Sequence, residues 1–166
     1  LIDRVLAPLR AGGGGRERPV PNLIPVGLSL NAGIYNMLFG LRAGAAVVVL
    51  GRFDPARFAA AVRRFGIRST VLPPASMAAL ADADDITDLQ PLRYVRSITA
   101  PLAPRVARRF ADRFGVFVLN SYGQAELGEV IGWTAADAKE HPEKLGAAGR
   151  PHAGVDLRLL AADDAG

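Results

Sequence analysis

The segment Asn120-Ser121-Tyr122-Gly123-Gln124-Ala125-Glu126 concentrates side chains suited to holding a nucleotide. Asn120 offers an amide that both donates and accepts, which matches the edge of a purine. Tyr122 offers a flat ring for stacking, and Gly123 lets the backbone approach a ligand closely. Glu126 offers a hard carboxylate oxygen, of the kind Mg²⁺ takes beside substrate phosphates. By residue type alone, the segment is equally a strand–turn–helix corner with a capping Asn and a solvated Glu. A second polar cluster, Ser97-Ile98-Thr99-Ala100-Pro101-Leu102, lies upstream. Each cluster directly follows an apolar run. In an open α/β sheet that places both at the carboxyl ends of strands, where the ligand crevice lies.

The elements that position these clusters follow from the apolar pattern. Ala32 to Leu50 predicts a short buried helix over Ile34–Leu41, then a strand ending in the β-branched run Val47 to Leu50, covered on both faces. Asp54 is a helix N-cap and Pro55 the first helical residue, with Phe58, Val62 and Phe65 on the inner face and Gly66 as the stop. Strands over Ser69–Leu72 and Tyr94–Ile98 follow, with a helix over Ala75–Ala81 between them. Pro104, Val106, Phe110, Phe114 and Gly115 repeat the helix punctuation before a strand at Val116–Leu119. Later come a strand over Val130–Trp133, a loop or short helix over Ala135–Lys144, and a strand with one wet face over Val155–Leu160. The alternation predicts an α/β fold: a mostly parallel, doubly wound sheet with flanking helices, plus the start of a second small β region at the C-terminus. The expected divisions are 1–22 as a linker or partial N-terminal segment, 23–150 as the α/β subdomain, and 151–166 as the start of a truncated β subdomain. Gly12 to Gly15 reads as linker, since no strand precedes it and no Gly-Lys-Ser/Thr closes it.

Composition narrows the function classes. Of 166 residues half are hydrophobic, enough for a sizeable core, and the net charge is only +4. The basic residues are almost all arginine, without an Arg-rich run interleaved with aromatics, so nucleic acid is not an expected partner. The absence of cysteine excludes disulfides, thiolate metal sites and cysteine nucleophiles. It suits a reducing compartment, and a cytoplasmic location is expected. Arg42 and the glycines at 33, 40 and 44 interrupt the longest apolar stretch, so no transmembrane segment is expected. Asp82, Asp84, Asp85 and Asp88 lack calcium-loop spacing and read as a solvated loop. Arg105, Arg108, Arg109 and Arg113 read as solvated or paired, with Asp112 as a candidate partner. His141 and His152 have no nearby Ser or Cys to make a triad, and Trp133 reads as a packing residue.

The ordered motifs carry a resemblance. Asn-x-Tyr-Gly-x-x-Glu at 120–126 is preceded by Ala100-Pro101-Leu102 and followed by Gly146-Ala147-Ala148-Gly149-Arg150-Pro151. Gly44-Ala45, Val47 to Leu50, Phe53-Asp54-Pro55 and Leu72-Pro73-Pro74 stand upstream in order. Over about residues 23–160 the set resembles the adenylate-forming (AMP-binding) superfamily of acyl-CoA synthetases, adenylation domains and luciferases. The resemblance implies that Asn120 binds the adenine amino group, Tyr122 stacks on adenine, and Glu126 is the catalytic magnesium ligand. Thr99 and Ala100 would pass the nucleotide or acyl chain through their backbone, and Ser121, Gly123 and Ala125 would complete the nucleotide-binding positions. The implied reaction takes a small-molecule carboxylate, fatty acids included, and ATP to acyl-AMP. Transfer to coenzyme A follows, so ATP/AMP, Mg²⁺ and coenzyme A are the implied cofactors and substrates. A carrier-protein thiol is the alternative acceptor. A catalytically degraded nucleotide- or acyl-binding homologue is a second alternative, and an unrelated flavodoxin-like binding domain a third.

Three positions depart from the family pattern. Ala125 stands where a threonine is usual, Leu30 where a histidine is usual, and Ser97-Ile98-Thr99 replaces a glycine-rich turn. Ile98 would either narrow the acyl pocket or fill core. The family's phosphate loop would precede Leu1, and its ribose-binding Asp and catalytic-lysine domain would follow Gly166. The expectation is therefore a fragment of the large N-terminal domain that is inactive alone and self-associates through surfaces its missing parts would cover.

Overall fold

The computed structural model describes Ile2, Leu6 and residues 19–144 and 146–158. The Gly12–Gly15 linker expectation lies outside the described residues. Strands β1 (Asn22–Ile24), β2 (Val47–Val49), β3 (Ser69–Leu72), β4 (Tyr94–Ser97) and β5 (Phe117–Leu119) alternate with four helices. These are α1 (Asn31–Arg42), α2 (Pro55–Phe65), α3 (Pro74–Asp82) and α4 (Pro104–Phe114). The strands form one parallel sheet in the order β2-β1-β3-β4-β5. A three-stranded antiparallel sheet follows, built from β6 (Ser121–Gln124), β7 (Gly128–Gly132) and β8 (Arg150–Pro151). Helix α5 (Ala135–Glu140) and a 3-10 turn over Pro142–Lys144 lie between β7 and β8.

Local chemistry sets the helix ends. The Asp54 side chain accepts from the Arg57 amide at 2.8 Å, and Gly66 closes α2 in the left-handed conformation at φ 62°. Gly115 closes α4 in the same way at φ 64°. The register then sorts the side chains. Val48, Leu23, Thr70, Val95 and Val118 are successive neighbours across the sheet, and all but Thr70 belong to the core cluster with Phe58 and Val62 of α2, Met77 and Leu80 of α3, and Phe110 and Phe114 of α4. Thr70 Oγ1 donates instead to the Leu23 carbonyl at 2.8 Å. The opposite face carries α1 beside Asn22 and Val47, and the small cluster of Leu119, Trp133, Ala138 and Tyr94 beneath α5. Helices on both faces make the sheet doubly wound, as the alternating pattern predicts.

Several expectations change. Strand β1 is an addition: Asn22–Ile24 lies between Pro21 and Pro25, too short for a periodic signal, yet it pairs with both β2 and β3. Strand β2 is therefore an edge strand, with Val49 44% exposed rather than covered on both faces. Helix α1 is longer than predicted and is only half buried. Gly33, Asn36 and Gly40 face inward, whereas Leu30 just before the helix and Ile34, Leu38 and Leu41 within it are exposed. Phe65 also lies outside the core, under the Arg64 guanidinium. The small β region begins at Ser121, and residues 155–158 form no strand; Leu159 and Leu160 lie outside the described residues. The tight closure is visible at Gly149, where an added Cβ would sit 2.3 Å from the Gly132 backbone.

The arginines of α4 do structural work. Arg113 donates to the carbonyls of Ala81, Ala83 and Ile86 at 2.7–3.1 Å, which caps the end of α3. Its partners are these carbonyls rather than Asp112. Arg109 pairs with Asp82 at 2.5 Å, so that carboxylate is bound rather than merely solvated. Among the described residues no helix is long and apolar enough to cross a membrane.

Arg113→Ala removes three hydrogen bonds, leaving Ala81 its bond from Arg109 and Ala83 its bond from the Ile86 amide, and should destabilise the chain by about 1–3 kcal/mol in urea unfolding, with the m-value unchanged. The exposed apolar row on α1 should make the isolated chain self-associate. Leu38→Glu should move it to the monomer position in a sizing experiment at high concentration.

Candidate functional site

The candidate residues come together where β4 and β5 end. Ser121 Oγ donates to the Ser97 carbonyl at 3.1 Å and ties the two polar segments side by side. Leaving β4, the chain turns at Thr99 with φ 69°, where glycine would sit without strain. A β-branched residue at that angle is rare, and the strain faces the rim of the sheet. Thr99 and Ala100 are exposed, so their backbone is open to a ligand. Ser97 itself is buried, and its Oγ makes no hydrogen bond.

Residues 121–132 form a β-hairpin whose first arm and turn hold the 120–126 segment, not a strand–turn–helix corner. β6 and β7 pair across the turn 125–127, and Gly128 adopts φ 69° after it. Glu126 sits at the exposed tip beside Ala125, whose methyl group offers no donor. Asn120 does not cap a helix: its Oδ1 accepts from the Ser121 amide at 3.0 Å, which leaves its amide nitrogen for another acceptor. Tyr122 is 48% exposed, and its hydroxyl accepts from Gln124 Nε2 at 3.1 Å, which fixes the ring at the surface. The hairpin itself requires glycine at 123, because an added Cβ would stand 2.4 Å from the Gly128 carbonyl oxygen.

Among the described residues of the rim, Glu126 is the carboxylate available for a metal. Glu126 makes no ion pair with any described residue, and no group of three or more His, Cys, Asp or Glu among those residues could cage an ion. A single exposed carboxylate suits magnesium held mainly by phosphate oxygens and water. Two clefts among the described residues lie elsewhere. One of about 270 Å³ is bounded by Pro21, Asn22, Phe39 and Gly40, and one of about 370 Å³ by Trp133, His141, Gly149 and Arg150.

Sequence reasoning missed a polar cluster behind the hairpin. Arg96 of β4 pairs with Glu129 of β7 at 2.5 Å and donates to the Trp133 carbonyl at 3.1 Å. The same Glu129 oxygen meets His152 Nε2 at 2.9 Å. Burial pushes the Tyr35 hydroxyl above its ordinary pKa, the Glu129 charge adds to the shift, and Arg96 opposes it. Arginine inside an otherwise apolar strand was the legible signal. Its partner, 33 residues away, was not.

Comparison with known proteins places these features in context. The family model described as AMP-binding enzyme matches residues 15–166. The 4-coumarate–CoA ligase 5 of Oryza sativa subsp. japonica is 34% identical over 131 residues, covering 76% of this chain and 24% of that protein. The chain thus spans about a quarter of the length of this relative. A variant of an amide bond synthetase from Marinactinospora thermotolerans superposes with a TM-score of 0.77 at 29% identity, over 99% of this chain and 32% of that one. The o-succinylbenzoate coenzyme A synthetase of Bacillus subtilis, in complex with ATP and magnesium, shares the fold with a TM-score of 0.75 at 18% identity, over 96% of this chain and 32% of that one.

Thr99→Gly relieves a left-handed strain of about 1–2 kcal/mol and adds an unfolded-state cost of roughly 0.5–1 kcal/mol. The substitution should therefore leave stability unchanged or raise it by up to about 1.5 kcal/mol. A clear fall in the urea midpoint would show that the Thr99 side chain holds the turn.

Proposed function

Since this chain belongs to the AMP-binding enzyme family, we propose that it is the adenine- and magnesium-facing part of an acid–thiol ligase. In this reading a carboxylate oxygen attacks the α-phosphorus of ATP and pyrophosphate leaves. A thiol sulfur then attacks the acyl carbon and expels AMP. Coenzyme A is the proposed acceptor, in keeping with the CoA ligase that the chain resembles. The observation that carries the reading is the Ser121–Ser97 hydrogen bond, because it sets both polar segments on one rim of the parallel sheet.

The chain's own residues then divide the work. The exposed Tyr122 ring, braced by Gln124, is placed for an adenine to stack on, and the Asn120 amide nitrogen for the edge of the same base. The Thr99 turn presents backbone at the foot of the site. Glu126 would hold Mg²⁺, which neutralises phosphate charge when bound. Such catalysis is chiefly positioning and charge neutralisation. Ala125 favours a second reading, a homologue that binds nucleotide but has lost turnover, since its methyl group cannot hydrogen-bond a phosphate.

Carboxylate-dependent ATP–pyrophosphate exchange tests the first reading. The full-length protein should catalyse exchange, and Glu126→Ala should lower kcat/KM by about a hundredfold, the scale of losing one electrostatic contact to the transition state. The isolated 166 residues should catalyse none. Nucleotide binding without exchange by the full-length protein, unrestored by Ala125→Thr, would instead establish the degraded homologue.

A further inference from the structure

The solvent side of the layer formed by α2, α3 and α4 carries an unmatched positive charge. These helices hold seven arginines and no lysine, against Asp82 and Asp112, an excess larger than the +4 of the whole chain. Arg109 takes up Asp82, Asp54 is engaged at the α2 cap, and Asp84, Asp85 and Asp88 lie in the loop after α3. Arg57, Arg63, Arg105 and Arg108 are exposed, and their side chains make no ion pair or hydrogen bond with any described residue. Helix stability does not account for this placement. Arg57 and Arg105 stand in the first turns of α2 and α4, where the positive end of the helix dipole disfavours a cation. None of the three helices has an acid within its first turn. Positions that break a local rule are commonly functional.

We propose that the α2–α4 face docks an acidic helical surface of a partner protein. The face suits exposure in a longer chain, because guanidinium groups are not buried without a partner. Exposed Ile34, Leu38 and Leu41 of α1 instead mark the opposite side of the sheet for apolar contact. Three features select the occupant. Arginine, used here to the exclusion of lysine, pairs bidentately with carboxylates. The arginines also flank α3, which packs against both neighbours and exposes only Ala75 and Asp82. At ordinary helix spacing α2 and α4 stand about 16–20 Å apart across that trough, too wide for one phosphate group to bridge and suited to another helix. Finally, the face has no free apolar side chain to enter a lipid bilayer: its exposed Phe65 lies under the Arg64 guanidinium. The three helices pack on the side of the sheet away from α5 and Trp133, so docking and nucleotide binding use different surfaces.

Fluorescence anisotropy on the full-length protein tests this with a labelled glutamate-rich helical peptide and its glutamine-for-glutamate counterpart. The acidic peptide should bind about tenfold more tightly or better, and lose affinity as salt is raised. Arg57→Glu with Arg63→Glu, and Arg105→Glu with Arg108→Glu, should each weaken it by about tenfold. Arg158→Glu, beyond β8, should change it by less than about twofold. The single variants Arg57→Glu and Arg105→Glu should melt at the wild-type temperature or above, since an acid suits a first helical turn. A lower melting temperature would assign these arginines to the fold and overturn the proposal. Equal affinity for the two peptides, or equal losses from Arg158→Glu and the reversals on the face, would overturn it as well. So would binding of phosphatidylserine vesicles or duplex DNA that the reversals abolish while the acidic peptide stays unbound. Weaker binding of ATP or coenzyme A by the Arg105→Glu with Arg108→Glu variant would give the arginines to the nucleotide and likewise overturn it. Failure of the acid-activating reading would appear as absent pyrophosphate exchange and leave the docking result untouched.

Discussion

The ion pair between Arg96 and Glu129 is the contact on which the relation between the two sheets depends. Arg96 belongs to a central strand of the parallel sheet, and Glu129 to the middle strand of the antiparallel one. Arg96 also reaches the Trp133 carbonyl, while the Trp133 indole donates to the Ala147 carbonyl at 2.9 Å. His152 joins the same carboxylate from beyond β8. One charged centre therefore holds β4, β7 and the chain entering and leaving β8. A partly buried pair of this kind adds little over well-packed hydrocarbon, yet loss of one partner leaves an uncompensated charge, which costs a few kcal/mol. Its value lies in fixing a single arrangement of the hairpin that carries Tyr122 and Glu126.

Two kinds of glycine surround that centre. Gly66 and Gly115 end helices and need only backbone freedom, since a Cβ there would meet open space. Gly123 and Gly149 are spatial requirements, each facing backbone at a distance no Cβ tolerates, and a Cβ on Gly132 would displace the side-chain ends of the Arg96–Glu129 pair. The hairpin is thus pressed against its neighbours without side chains between. That close approach accounts for Gly123 without invoking a ligand.

Strain and unmet hydrogen bonding gather at the rim. Thr99 holds a left-handed turn with a branched side chain, and the buried Ser97 hydroxyl beside it lacks a partner. Folding alone does not favour either feature, and places where local rules fail are commonly functional. The family that the chain belongs to gives that rim a meaning, and Ala125 marks where the meaning is weakest.

Much of the fold was legible because its signals are local. Asp54 with Pro55, Gly66, Pro104 and Gly115 announce two helices through capping and backbone preference, which neighbouring residues decide. The apolar runs announce four of the five parallel strands for the same reason. Strand β1 escaped because three residues between prolines carry no period, and only pairing on both sides makes them a strand. The types of Asn120, Tyr122 and Glu126 raised the expectation of a nucleotide site, but their hairpin depends on cross-strand contacts that the helix-like reading could not supply. Arg96, Glu129, His152 and Tyr35 were individually unremarkable. Their chemistry exists only because the folded chain removes enough water around them for charge to seek charge, and sequence distance carries no record of that.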